Sequence, residues 1–240
     1  MRLLSLLILS IALTIGCDED SVSSSDQFEA ETNETQVITL SAQTSFIVEN
    51  TNGIITVTAS GTASNVYCDI KKKVKSRISE NDAQSHLSDI TISFPTNNMD
   101  VKIEVDNPIN DDREYEIHLN ILLPDNFDHN LILGNGNISV YSTTKNLVIS
   151  FGNGNVTADV TLSDTCYTSI SLGNGNLDFT IPDNTNAILV ASVGNGLITN
   201  NGLNFQNQQI TNKQFSGTLG NGVGNIVLSV GNGNITMNKK

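Results

Sequence analysis

Side chains able to move protons or attack a substrate are few and scattered in this chain of 240 residues. Three histidines, His86, His118 and His129, fall in an expected helix, a strand and a loop before a strand. No two of them form a metal-spaced pair with Cys or a carboxylate. Beyond residue 130 the only carboxylates are Asp159, Asp164, Asp178 and Asp183. They fall in or near expected loops, where Asp commonly forms turns. General acid–base or nucleophilic catalysis needs such groups brought together. The spacing therefore predicts no catalytic residue, no cofactor-binding residue and no metal ligand, and no cofactor is implied. A polysaccharide-modifying enzyme, a rival reading, would have to rest on Asp159 or Asp178. Cys68 and Cys166 read either as a disulfide of an oxidising compartment or as small buried apolar residues.

Cys17 is the residue whose setting points to covalent chemistry. Arg2 precedes an apolar and small-residue run from Leu3 to Ile15, then Gly16 and Cys17. That is a secretory signal, too short to span a bilayer, which takes roughly 20 apolar residues. Leu13-Thr14-Ile15-Gly16-Cys17 resembles a bacterial lipobox, in which the Cys becomes the lipidated N-terminus. Thr14 departs from that pattern, which prefers Leu there. The segment 1–16 is thus expected to be a lipoprotein signal peptide. Residues 17–35 are expected to be the lipidated Cys and an acidic, Ser-rich tether, disordered where Asp18-Glu19-Asp20 and the following serines lack apolar periodicity. The acidic cluster resembles surface-export signals of Bacteroidota lipoproteins. Asp after the Cys also resembles an inner-membrane retention signal, and a plain solvated spacer is the third reading.

Charge divides the remainder. Of 25 acidic and 12 basic residues, the part from 131 to 240 holds four of each, with no Arg, Glu or His and with 20 Asn. The formal net charge of −13 argues against nucleic acid as a partner, because phosphate binding needs clustered Lys and Arg. The boundary suggests an N-terminal β-rich part, 36–130, and a repeat part, 131–240.

Gly-Asn-Gly occurs six times, at Gly134–Gly136, Gly152–Gly154, Gly173–Gly175, Gly194–Gly196, Gly220–Gly222 and Gly231–Gly233. The first three intervals are 18, 21 and 21 residues. A recurring period near 20 residues is the mark of a solenoid. Counting from the first Gly, apolar residues recur at −3 and −1 and again at +4 and +6. Each flank alternates as a half-buried strand does. The odd step from −1 to +4 requires a bend or bulge at the tripeptide, and Gly and Asn tolerate one. These glycines are expected to be structural repeat turns. The expected fold is all-β: a parallel β-solenoid or β-helix of five or six coils, with an N-terminal β-rich part containing one short helix. A calcium-binding roll would need Asp where Asn stands. A dinucleotide loop would need a helix after the glycines.

In the N-terminal part, strands are expected from Gln36 to Thr58 with a corner at Asn52-Gly53. Others follow at 66–74, 90–94, 101–105 and 115–123. Ser79 is placed to cap a helix from Glu80 to Ser88. The basic run from Lys71 to Arg77 reads as a solvated strand edge, where Lys guards against aggregation, or else as a contact for lipid head groups or an anionic glycan.

These segments together resemble the bacterial "putative adhesin" domains, glycine-rich all-β domains related to the head-GIN type. The carrying residues are Asn52 to Val57, the Lys-rich strand with Ser79 to Ile90, Tyr115 to Pro124 and the Gly-Asn-Gly units, with Gly217 to Ile235 closest. The likeness implies adhesion and names no ligand or functional residue. The expectation is a non-enzymatic, lipid-anchored protein of the bacterial cell envelope, at the outer membrane or cell surface rather than the inner membrane. It would be an adhesin or scaffold making weak multivalent contacts. The partners expected are the membrane, through the N-terminal lipid, and glycan, matrix or other envelope proteins. The alternative is an envelope sensor or regulatory partner acting through the acidic N-terminal part.

Overall fold

The computed structural model describes residues 27–108, 112–125 and 127–240, leaving aside the side chains of Thr143 and Lys145. The signal segment and Cys17 lie outside the described residues. Among the described residues the chain is all-β apart from one short helix and the 3₁₀ turn that follows it. Its first part comprises β1 (Phe28–Thr39), β2 (Ser45–Ala59), β3 (Asn65–Ser76), α1 (Glu80–Ser85), β4 (Thr91–Ser93), β5 (Asp100–Asp106) and β6 (Arg113–Leu123). There follow the long β7 (Asp128–Asn174), then β8 (Leu177–Ile181), β9 (Ala187–Asn195), β10 (Ile198–Asn201), β11 (Gln206–Ile210), β12 (Gln214–Leu219), β13 (Gly224–Asn232) and β14 (Ile235–Lys239).

Burial along β2 explains the shape. Phe46, Val48 and Asn50 point inward, then Gly53, Ile55 and Val57. The parity changes once, at Thr51-Asn52, so the strand turns a corner and keeps its apolar set on one side. The same odd step recurs from Leu133 to Ile138, from Phe151 to Val156, from Leu172 to Leu177 and from Val230 to Ile235. Two sheet faces therefore share one core. One face runs β4, β5, β2, β7, β13, β9, β12, β11, and the other β1, β3, β6, β2, β7, β8, β14, β10. β2 lies parallel to β5 below the corner, to β6 beyond it, and to β7 on its other side from Ser45 to Thr58.

The sheet is mixed, which corrects the expectation of parallel coils alone. β1 with β3, β3 with β6, β4 with β5, β12 with β9 and β11 with β12 are antiparallel. Rung order also departs from chain order. β13 pairs with β7 on one side and β9 on the other, so the last Gly-Asn-Gly unit lies between the third and the fourth. The sequence carries a reason. The fourth unit has Leu197 where the other stacked units have Asn137, Asn155, Asn176 and Asn234, and Asn200 where they have an apolar residue. Such a unit suits an end position, because past Gly196 it offers a further rung neither a second amide nor a full apolar row.

The N-terminal strand begins at Phe28, inside the segment expected to be tether. Its exposed, polar composition resembles a linker because β1 is an edge strand. The Lys run is correspondingly not an edge: β3 lies between β1 and β6. Lys71, Lys72 and Lys73 pair with Glu31, Glu34 and Glu29 at 2.6, 2.9 and 2.6 Å. Complementary charge across neighbouring strands favours the pairing.

Both ends of the core are covered. Helix α1 starts where Ser79 Oγ accepts from the Asp82 backbone N–H at 3.1 Å, and it buries Ala83. Asp82 in turn accepts two hydrogen bonds from the Arg113 guanidinium, at 2.8 and 2.7 Å, which ties the helix to β6. At the other end Leu203, Phe205 and Phe215 are buried, the two rings meeting edge to face at 4.8 Å.

Candidate functional site

The corners bring asparagines that are distant in the chain into one file. Asn135 Nδ2 donates to Asn52 Oδ1 at 2.8 Å, Asn153 to Asn135 at 2.7 Å and Asn174 to Asn153 at 2.6 Å. Asn232 then donates to Asn174, and Asn195 to Asn232, both at 2.7 Å. Every donor points toward β2, so the file of amides is polar from end to end. A second file runs beside it: the backbone N–H groups of Asn155, Asn176, Asn234 and Leu197 donate to Oδ1 of Asn137, Asn155, Asn176 and Asn234. Such amide ladders need strands stacked in register at about 4.8 Å.

That spacing also dictates the glycines. A Cβ on Gly136 would lie 1.7 Å from the Gly53 carbonyl oxygen, and the Gly136 φ is +128°. The second Gly of each stacked unit thus answers to both space and conformation. The first Gly answers to space alone: a Cβ on Gly134 would lie 2.5 Å from the Thr51 carbonyl oxygen. Gly152, Gly173, Gly231 and Gly194 face the preceding rung in the same way, as do Gly154, Gly175, Gly233 and Gly196 at the second position. Gly220 and Gly222 stand apart. They lie in the turn from β12 to β13, with φ of +53° and +71°, where the Asn221 backbone N–H donates to Asn186 Oδ1.

The other candidate residues stay dispersed. Asp159 pairs with Lys240 at 2.7 Å, Asp164 accepts from Asn186 at 2.8 Å and Asp178 accepts from Asn238. Asp183 accepts from Lys239 Nζ at 2.8 Å and from Asn204, and these partners, Lys239 first, hold its carboxyl below the usual range. Asp159 and Asp178 sit in strands rather than turns. His86 meets Asp89 at 2.5 Å, and His118 lies 3.5 Å from Glu116. His129 is buried with Nε2 3.0 Å from Ser142 Oγ, and burial pushes its pKa down to about 4. Cys68 and Cys166 are free, buried thiols. Among the described residues no three His, Cys, Asp or Glu side chains are grouped to hold a metal ion.

Where the amide file ends at Asn52, a groove of about 610 Å³ opens beside it. Asn52, Asn135 and Asn137 form one wall, and Arg113, Glu116 and His118 of β6 are on the other. The file stops where the neighbour of β2 on that side is two separate strands, β5 before the corner and β6 beyond it. Asn50 Nδ2 instead donates to the Ile117 carbonyl at 2.9 Å. The Asn52 rung was legible only as an Asn-Gly corner, because Thr51 replaces the first glycine. Thr51 is tolerated because no corner stacks on the side its Cβ would face.

No family model matches the sequence, and no curated protein matches it. Among solved structures, the fold is similar to that of a "putative cell adhesion protein" from Clostridium sporogenes ATCC 15579. The TM-score is 0.55 at 14% identity, covering 88% of this chain and 100% of that one. A "putative adhesin" from Bacteroides fragilis NCTC 9343 matches at 11% identity, a TM-score of 0.26, and 86% and 97% coverage. One from Parabacteroides merdae ATCC 43184 matches at 10% identity, a TM-score of 0.26, and 87% and 97% coverage. The first likeness is one of fold, and it agrees with the resemblance carried by the glycine–asparagine segments.

Proposed function

We propose that this chain is a non-enzymatic adhesin or scaffold of the bacterial cell envelope or surface, anchored by lipid at Cys17. Its repeat part, 131–240, acts as a β-solenoid of five or six coils that presents a stiff polar surface. The observation that carries the reading is the single-direction file of amides from Asn195 to Asn52. A surface ordered in this way pays little further conformational entropy on contact. Each hydrogen bond to a partner is worth only about 0.5–1.5 kcal/mol net, so useful adhesion comes from many copies on one cell. The fold shared with the Clostridium sporogenes protein supports the reading.

The test has two arms. Cells expressing the full chain are labelled with an alkyne fatty acid and probed for surface exposure with protease. Label and exposure are expected in the wild type, and no label in Cys17→Ala. Adherence of the same cells to immobilised glycans and matrix proteins is then compared with cells lacking the chain. Equal adherence on every surface would sink the adhesin reading.

A further inference from the structure

A second surface, on the outer side of the β1–β3–β6–β2–β7 face, has the makings of a built binding site. Val37, Tyr67, Leu122, Thr58 and Tyr141 lie opposite one another in turn across those five strands. All but Thr58 are exposed large apolar or aromatic residues, so the row forms a band with a tyrosine at two of its positions. Three strand steps separate Tyr67 from Tyr141, or about 14 Å at the usual strand spacing. The row two residues along is entirely polar: Thr35, Asp69, Asn120, Thr56 and Ser139. All of it but Ser139 lines a trough of about 300 Å³. Ile54 and His118 line both this trough and the groove at the end of the amide file, so the two depressions are contiguous.

The lysine and the two carboxylates of the trough already have partners. Lys71 pairs with Glu31 at 2.6 Å, Glu34 with Lys72 at 2.9 Å, and Asp69 accepts from Thr35 Oγ1 at 2.8 Å. An anion would have to displace one of these partners and would also face the Asp69 carboxylate, whose partner is a neutral hydroxyl. Among the described residues the side chains of Asn33, Thr56 and Asn120 make no hydrogen bond, and Nδ2 of Asn52 donates to nothing. An amide offers donor and acceptor together, which suits hydroxyl groups. A peptide strand would need a free sheet edge, but β3, β6 and β2 are paired on both sides.

We propose that this trough binds a neutral oligosaccharide chain, with hydroxyls on Asn33, Thr56 and Asn120 and apolar ring faces against Tyr67 and Tyr141. Tyrosine supplies an apolar ring face with a polar tip, as such a rim requires. The contiguous groove fits a chain rather than a single sugar. The inference rests on the adhesin reading and gives it a location centred on β1, β3, β6 and β2, with Tyr141 added from the first rung of the repeat part.

Affinity electrophoresis of the full chain in gels containing dextran, mannan, xylan or a β-1,3-glucan tests it. At least one of these neutral polysaccharides is expected to retard the protein. The double variant Tyr67→Ala/Asn120→Ala should lower that affinity at least tenfold, and Ile210→Ala, exposed at the far end, should leave it unchanged. The chain has four Tyr and no Trp, so wild-type tyrosine emission should also change as the retarding polysaccharide saturates it. Absence of retardation by all four overturns the site. Retardation that survives in a folded double variant, or binding with unaltered tyrosine emission, overturns it as well. Adherence of cells carrying the double variant at the wild-type level would remove the site and leave the adhesin reading intact.

Discussion

Asn232 accepts a hydrogen bond from Asn195 and donates one to Asn174, although 37 and 58 residues of chain separate them. The last rung in the sequence is therefore an interior rung of the stack. Along the chain β9 comes first, the β11–β12 excursion follows, and β13 then returns to lie between β7 and β9. Contacts this distant in sequence close late and slowly, because the loop entropy must be met before they form.

The glycine requirement makes a graded prediction. In Gly175→Ala, a Cβ would meet the Gly154 carbonyl oxygen at 1.5 Å, at a φ of +132°. Overpacking and backbone strain together should cost about 3–5 kcal/mol. Gly134→Ala meets a carbonyl oxygen at 2.5 Å without the positive φ and should cost less, about 1–3 kcal/mol. Thr51→Ala, at the rung with no corner outside it, should stay within about 0.5 kcal/mol. Urea denaturation of the three variants checks the order. Equal losses at Gly175 and Thr51 would refute the stacking argument.

The corners were legible because period and parity are properties of a single chain: the step from Leu133 to Ile138 can be counted without coordinates. Partner choice was not. Glu29, Glu31 and Glu34 read as tether because their counterparts, Lys71 to Lys73, lie on another strand about forty residues on. The order of rungs was partly written in Leu197 and Asn200, whose meaning depends on knowing that a stack needs an end. The trough between Tyr67 and Asn120 depends on five strands in register, one of them, β3, antiparallel to the rest, which local patterning does not encode.

His129 gives the fold an acid limit. Its ordinary pKa of 6.5 falls to about 4 in the folded chain, chiefly by burial, which outweighs the nearby Asp128 charge. The unfolded chain therefore binds a proton as pH drops through 6.5, and the folded chain does so only near 4. Stability is full above that window and declines across it, by about 3 kcal/mol in all. Replacing His129 with Leu should flatten the decline between pH 6.5 and 4, read from urea midpoints at several pH values. An undiminished slope in the variant would assign the effect to other groups.

The two thiols should be silent in the native protein. Burial pushes Cys68 up to about 12, with the Asp69 and Glu34 charges adding to it, and burial also raises Cys166. A thiol reagent reacts with the thiolate, so at pH 8 neither should be modified on the timescale of an exposed cysteine. Both should titrate once guanidinium unfolds the chain. Fast native labelling of either would place it outside the core, and a missing titre after unfolding would indicate a disulfide.

Removal of the last rung tests the architecture as a whole. A chain ending at Val223 keeps every Gly-Asn-Gly unit except the last, so a stack built in chain order would lose only an end. In the order observed it loses the rung between β7 and β9. Asn174 at the third corner would lose the amide that donates to it and keep only its bond to Asn153, and β9 would be paired with β12 alone. Ile226, Leu228, Val230, Ile235 and Met237, all buried, would leave the centre of the core rather than its margin. The truncated chain is therefore expected to lose cooperative unfolding from β7 through β12 and to expose two long strand edges, which invite aggregation. Ending the chain at Val223 should thus be far more damaging than deleting residues 206–219 and bridging the gap with a short Gly-Ser linker, which removes the outer hairpin alone. Circular dichroism melts and size-exclusion profiles of the two variants decide between the arrangements. Comparable melts would mean that the last rung sits at an end after all.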